Sequence, residues 1–177
     1  MKKKKKLHIS ILLAIFITML SVSLFHCTSS GKKLLPLGTR APEWELPDSS
    51  GNMVSSQNYK GDILLIDFWA TWCIPCIQSM PKLDSLWRKY ADKGLRVVGV
   101  SAQEQQGADP VSFARKMGAG YDILLQGDSL VKAFNITGFP ALFLINREGE
   151  VVFAKQGLNK EMYRTLEGLI QGLTDSH

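Results

Sequence analysis

Two cysteines three residues apart, in Cys73-Ile74-Pro75-Cys76, are the residues of this 177-residue chain whose types and spacing most directly suggest chemistry. A thiolate is the nucleophile in disulfide exchange, and a helix N-terminus lowers a thiol's pKa through its dipole and its unpaired N–H groups. If a helix starts here, Cys73 lies at its N-terminus and Cys76 falls on the same face one turn later. The two sulfurs are then close enough to bond and re-open without moving the backbone. Cys73 would attack a substrate disulfide, and Cys76 would resolve the mixed disulfide that results. Pro75 suits a first turn, where a missing N–H costs little. Two other uses of C-x-x-C compete. Half a zinc site would need two more ligands; the sequence offers Cys27, three scattered histidines and carboxylates, with no second C-x-x-C and no H-x3-H. A purely structural disulfide across so short a loop adds little stability, because the gain grows with loop length. Redox exchange through the cysteines requires neither metal nor cofactor.

The elements around the pair fit that use. Ile63 to Trp69 is an apolar run broken only by Asp67, the pattern of a strand buried on both faces. From Pro75 to Tyr90, Ile77, Met80, Leu83, Leu86 and Trp87 recur on one helical face, with Lys82, Asp84, Arg88 and Lys89 elsewhere. Pro81 should kink this helix, and Gly94 ends it. Leu95 to Val100 is a second buried strand. Asp109 caps a helix to Met117, with Pro110 at its first position. Ile123 to Leu125 is a short apolar segment and Asp128 to Phe134 a short helix. Ala141 to Ile145 and Glu150 to Lys155 are strands joined at Arg147-Glu148-Gly149. Asn159 caps a last amphipathic helix reaching about Leu173. Ahead of these, Glu43 to Leu46 and Asn52 to Val54 flank a turn. Strand–helix–strand requires a parallel crossover, whereas the last two strands form an antiparallel hairpin. The expected fold is α/β, with a mixed sheet and helices on both faces.

The formal net charge of +5 is carried by Lys2 to Lys6; the other 16 Lys+Arg balance 16 Asp+Glu, so no basic footprint for nucleic acid remains. The lysines precede an apolar run, Ile9 to Phe25, interrupted only by Ser and Thr. This is the charge and hydropathy pattern of a secretory signal. The run is near the lower limit for spanning a bilayer, about 17 to 25 residues. Its lysines stay inside and the downstream domain lies outside. Cys27 follows the run, ahead of a polar tether from Thr28 to Lys33. It resembles the acceptor of a bacterial lipoprotein signal. Leu24 fits that pattern; His26 departs from it, and Phe25 is bulky for its place. Lipid attachment at Cys27, an uncleaved anchor, and cleavage after Ser23 are the three readings. Acylation would also account for the odd cysteine. The division expected is 1–27 signal or anchor, 28–42 flexible linker and 43–174 folded domain, held at the membrane of a bacterial cell envelope on its outer side.

Asp67-Phe68-Trp69-Ala70-Thr71-Trp72-Cys73-Ile74-Pro75-Cys76 resembles the active-site segment of thioredoxins, and Gly138-Phe139-Pro140 ahead of a strand resembles their cis-proline loop. Ala41-Pro42-Glu43-Trp44-Glu45-Leu46, then Asp48 and Gly51, resemble the N-terminal hairpin of the membrane-tethered TlpA/ResA-like branch, as does the extra helix around Asp109 to Met117. The likeness covers about residues 36 to 173. It implies a thioredoxin fold with an N-terminal β-hairpin and an inserted helix. It implies that Pro140 is cis, shapes the substrate groove and blocks unwanted metal binding. Asp67 would be a buried carboxylate with a raised pKa that helps deprotonate Cys76. Glu104 would be an acidic residue near the cysteines, and Trp72 would flank and shield Cys73. Each has a plainer reading: a strand-entry proline, a strand acid bonded to backbone, a solvated loop glutamate, a packing residue. The chain departs from the pattern in three places. ResA-like proteins often carry Asn where Asp67 stands, the lysine partner of thioredoxins aligns near Gly99, and Ala141 replaces a frequent threonine.

The resemblance implies a thiol–disulfide oxidoreductase acting on protein thiols and disulfides. The expected direction is reduction of exported cysteines, for instance those of apocytochrome c, with electrons from a membrane donor of the thioredoxin-reducing type. An oxidant or isomerase is the alternative within the class. A thiol peroxidase would need Thr where Ala70 stands, and a non-catalytic binding module would be expected to lose one of the two cysteines.

Overall fold

The computed structural model describes residues 33–157 and 159–176. The signal segment and Cys27 lie outside the described residues. Among the described residues there are seven strands: β1 Glu45–Pro47, β2 Met53–Ser55, β3 Ile63–Trp69, β4 Leu95–Ser101, β5 Asp122–Leu124, β6 Ala141–Ile145 and β7 Val151–Gln156. The α-helices described are α1 Ile74–Tyr90, α2 Pro110–Lys116, α3 Asp128–Ala133 and α4 Lys160–Asp175. β1 and β2 pair as an antiparallel hairpin, and the other five form a sheet in the order β5-β4-β3-β6-β7. β4 runs parallel to β3 and β5, while β6 is antiparallel to β3 and β7. This is the mixed sheet of a thioredoxin fold.

β3 is central, and all seven of its residues are buried. Alternation along it feeds two cores. Ile63, Leu65 and Trp69 face a cluster with Met80, Leu83 and Leu86 of α1, Ala114 of α2, and Met162, Leu166 and Ile170 of α4. Leu64, Ile66 and Phe68 face the opposite cluster, with Leu130 and Val131 of α3, Phe134, Phe143 and the hairpin's Trp44 and Leu46. Burying side chains of this size contributes roughly 1.5–3 kcal/mol each. Such a strand therefore holds its register, and its C-terminal end presents the cysteine loop.

α1 runs unbroken through Pro81, which is exposed, so the Ile77 carbonyl that loses its partner there can turn to water. Asp84, expected on the polar face of this helix, is buried instead. Its Oδ1 accepts from Gly120 N at 2.7 Å and its Oδ2 from Arg88 Nε at 2.7 Å. Residues 38–41, expected in the linker, belong to the folded body. Gly38 N donates to Val151 O, Val151 N to Thr39 O and Ala41 N to Gly149 O, each within 2.9 Å. Among the described residues no helix is long and apolar enough to cross a membrane.

Candidate active site

β3 ends at Trp69, a turn follows, and α1 begins with Cys73 as its N-cap. Cys73 Sγ accepts from Cys76 N at 3.3 Å, and Cys73 N donates to Ala70 O at 3.0 Å. Cys73 and Cys76 are joined by a disulfide of 2.01 Å with their Cα atoms 5.3 Å apart. Cys76 is fully buried and Cys73 is 4% exposed, while Ile74 between them is 67% exposed. The sulfur facing a partner is thus Cys73, and Cys76 is held behind it by the first turn.

The turn is braced by Glu104. Its carboxylate accepts from Thr71 N at 3.0 Å, from Thr71 Oγ1 at 2.5 Å and from Ser101 Oγ at 2.6 Å. It therefore ties the segment just before Trp72-Cys73 to the end of β4, and its recorded partners are these groups rather than the sulfurs. Trp72 is 49% exposed and donates from Nε1 to Gln103 O at 2.8 Å, where Gln103 has a φ of 55°. Its ring lies 5.9 Å from that of Phe139, whose peptide bond to Pro140 is cis. This contact brings the proline loop beside the cysteine loop. Pro140 is buried, and its carbonyl accepts from Gly157 N at 2.8 Å; Gln156 Oε1 accepts from Thr137 N at 3.1 Å.

Asp67 is fully buried, two residues before Trp69 on the same face of β3, the face whose core includes Cys73 and Cys76. Oδ2 has Tyr121 Oη at 3.5 Å, the outer limit of a hydrogen bond, and Oδ1 has no partner. Burial pushes its pKa up to about 7, and the Tyr121 hydroxyl acts weakly against that. Its neighbour in register on β4 is Gly99, so the place of a thioredoxin lysine is empty of side chain. A Cβ there would meet Ile123 Cδ1 at 2.8 Å and Trp69 Nε1 at 3.1 Å. Sequence reasoning missed three polar neighbours. Ser79, buried one turn after Cys76, donates to Cys76 O at 2.5 Å. Tyr121 is buried beside Asp67, and Tyr163 of α4 has a buried hydroxyl with no partner of good geometry. The i+3 spacing of Ser79 from Cys76 was a usable signal; the tyrosines read as ordinary core residues.

The arrangement can pass two electrons between a dithiol and a disulfide. It offers an exposed edge at Cys73, a buried second sulfur, and an ionisable carboxyl in the same core. Among the described residues no group of three or more His, Cys, Asp or Glu is placed to hold a metal. The model of the AhpC/TSA family matches residues 37–154. Over 163 residues the chain is 29% identical to the thiol-disulfide oxidoreductase ResA of Bacillus subtilis strain 168, covering 91% of this chain and 90% of that one. It is 30% identical over 167 residues to the thioredoxin-like protein YneN of the same strain, covering 92% and 98%. The solution structure of a thiol:disulfide interchange protein from Bacteroides sp. superposes with a TM-score of 0.68 at 29% identity, covering 81% of this chain and 95% of that one.

Proposed function

The chain belongs to the AhpC/TSA family, and from that membership and its own site we infer that it is a thiol–disulfide oxidoreductase that reduces disulfides of exported proteins. The observation that carries this reading is the Cys73–Cys76 disulfide at the start of α1, beside the cis-Pro140 loop. In the reduced enzyme, the Cys73 thiolate attacks a substrate disulfide and the first substrate thiolate leaves. Asp67 takes the proton of Cys76. The Cys76 thiolate then attacks Cys73 Sγ, expelling the second substrate thiolate and forming the disulfide seen here. Trp72, Phe139 and Pro140 shape the groove that receives the substrate chain, and Glu104 holds the cysteine loop in place.

The N-terminal segment supports an extracytoplasmic site of action, with Cys27 as lipid attachment or the apolar run as anchor. A membrane donor of the thioredoxin-reducing type would then supply electrons, and apocytochrome c is a fitting class of substrate. A peroxidase reading lacks its threonine at Ala70.

The direction of flow follows from Asp67. A buried carboxyl without a counter-cation disfavours a nearby thiolate, which weakens the dithiol state relative to the disulfide and lowers the potential. Equilibration against glutathione or dithiothreitol buffers should give roughly −250 mV. A value above about −180 mV would reject the reductase in favour of an oxidant or isomerase.

A further inference from the structure

Phe68 of β3, Ala141 of β6 and Gln156 of β7 are neighbours in register. They form one row across the sheet, at the end that carries the cysteine loop. The segment Thr137 to Pro140 leads into that row. It contains a glycine and a cis-proline, and Thr137 is exposed, so little side chain is available to pack it in place. Its shape must come from hydrogen bonds and from the ring of Phe139. Among the described residues those hydrogen bonds come from the end of β7. The Gln156 carboxamide oxygen accepts from Thr137 N at 3.1 Å, and Thr137 Oγ1 lies 3.2 Å from both the oxygen and the nitrogen of that carboxamide. One residue on, Gly157 N donates to Pro140 O at 2.8 Å.

Gln156 is exposed at a strand end, where a side chain is ordinarily solvated. Here both polar atoms of its amide are engaged by one residue of the neighbouring loop. Gly138 fits the same arrangement. Its φ lies outside the left-handed region, so its backbone does not require glycine. A Cβ there would stand 3.3 Å from Gln156 Nε2, so the bare Cα leaves the carboxamide its place. On the other side the Phe139 ring meets Trp72 at 5.9 Å. The loop is thus held between the cysteine segment and Gln156.

We propose that Gln156 is a positioning residue for protein substrates, its carboxamide holding Thr137–Phe139 in the shape against which a substrate chain lies while Cys73 attacks the disulfide. This rests on the reading above that the Pro140 loop receives the substrate. If the clasp is removed, the incoming chain must order the loop itself, and that cost falls on binding. The reacting sulfurs stand on α1 and its preceding turn, so the rate at saturation does not pass through Thr137. A disulfide too small to reach the loop feels neither effect.

The test is stopped-flow single turnover of the reduced full chain against two probes. One is a short cysteine peptide oxidised to its disulfide-linked dimer and carrying a self-quenching fluorophore; the other is Ellman's reagent. Gln156→Leu keeps the length of the side chain and removes its polar atoms. It is expected to raise the half-saturating concentration of the peptide dimer about tenfold, with the limiting rate and the Ellman's rate both within about twofold of the parent. Gln156→Glu keeps an acceptor for Thr137 N–H and the hydroxyl and should recover most of the affinity. Gly138→Ala displaces the carboxamide instead of deleting it; it should weaken peptide binding in the same sense, and carries the test if the Leu variant is unstable. An unchanged half-saturating concentration in both Gln156→Leu and Gly138→Ala overturns the proposal. Equal slowing with both probes marks damage to the cysteine site and also overturns it. A parent protein that reacts with Ellman's reagent but not with the peptide dimer rejects the protein-disulfide reading, and the role of Gln156 falls with it.

Discussion

Asp67 sets a cost that depends on pH. Its pKa is raised by burial from 3.8 to about 7, so the folded state keeps a proton that the unfolded chain releases above pH 4. Between those values the native protein binds more protons than the unfolded one. Stability is therefore full below about pH 4, falls as pH rises toward 7, and stays low above it. The loss is on the order of 4 kcal/mol for such a shift. Asp67→Asn should remove this dependence, raising the midpoint of urea unfolding at pH 8 with little change at pH 4, while slowing resolution by Cys76. Equal unfolding midpoints for the two proteins at pH 8 would show that the carboxyl is not strained by burial. Glu104 accepts hydrogen bonds on both carboxylate oxygens. Glu104→Ala strands the Thr71 N–H and two hydroxyls, and should cost about 1–3 kcal/mol in denaturant unfolding.

At the scale of elements, strand periodicity was decisive where both faces are buried. β3 and β6 match the bounds read from the sequence, β6 as an unbroken apolar run and β3 as one interrupted only by Asp67. Caps were equally legible: Asp109 accepts from Ser112 N and Asn159 from Met162 N. Asn159→Ala should lower stability by about 1 kcal/mol, read as a shifted unfolding midpoint with unchanged slope. What escaped was side-chain traffic between elements. Asp84 looks like a solvent-facing residue of α1 because a helical pattern cannot show that Gly120 N waits above it. Tyr121 beside Asp67 comes from the approach to β5, far from β3 in sequence, and only the packed sheet brings the two together. Glu104 could be guessed as acidic and close, but its role as a brace depends on where β4 ends relative to the turn. Gly99 was read as a missing lysine; the structure adds that the site has no room for one. Gly99→Ala should destabilise by about 1–3 kcal/mol through its contact with Ile123, measured by thermal unfolding.

For the whole molecule, the formal net charge of +5 is carried by Lys2 to Lys6. The body is close to neutral, so association with membranes should depend on that segment and not on a basic face. If Cys27 is acylated, Cys27→Ala should abolish metabolic labelling with palmitate and increase the soluble fraction. Recovery of an intact Met1 end from membranes would instead establish the uncleaved anchor. The position of Trp72 has an optical consequence as well. An indole directly beside a disulfide loses excitation to it by electron transfer, and a dithiol is a poorer acceptor. Of the four tryptophans only Trp72 adjoins the cysteines in sequence, and it is half open to solvent. The protein should therefore brighten when reduced and dim when oxidised, reporting its own redox state through intrinsic emission without any attached dye.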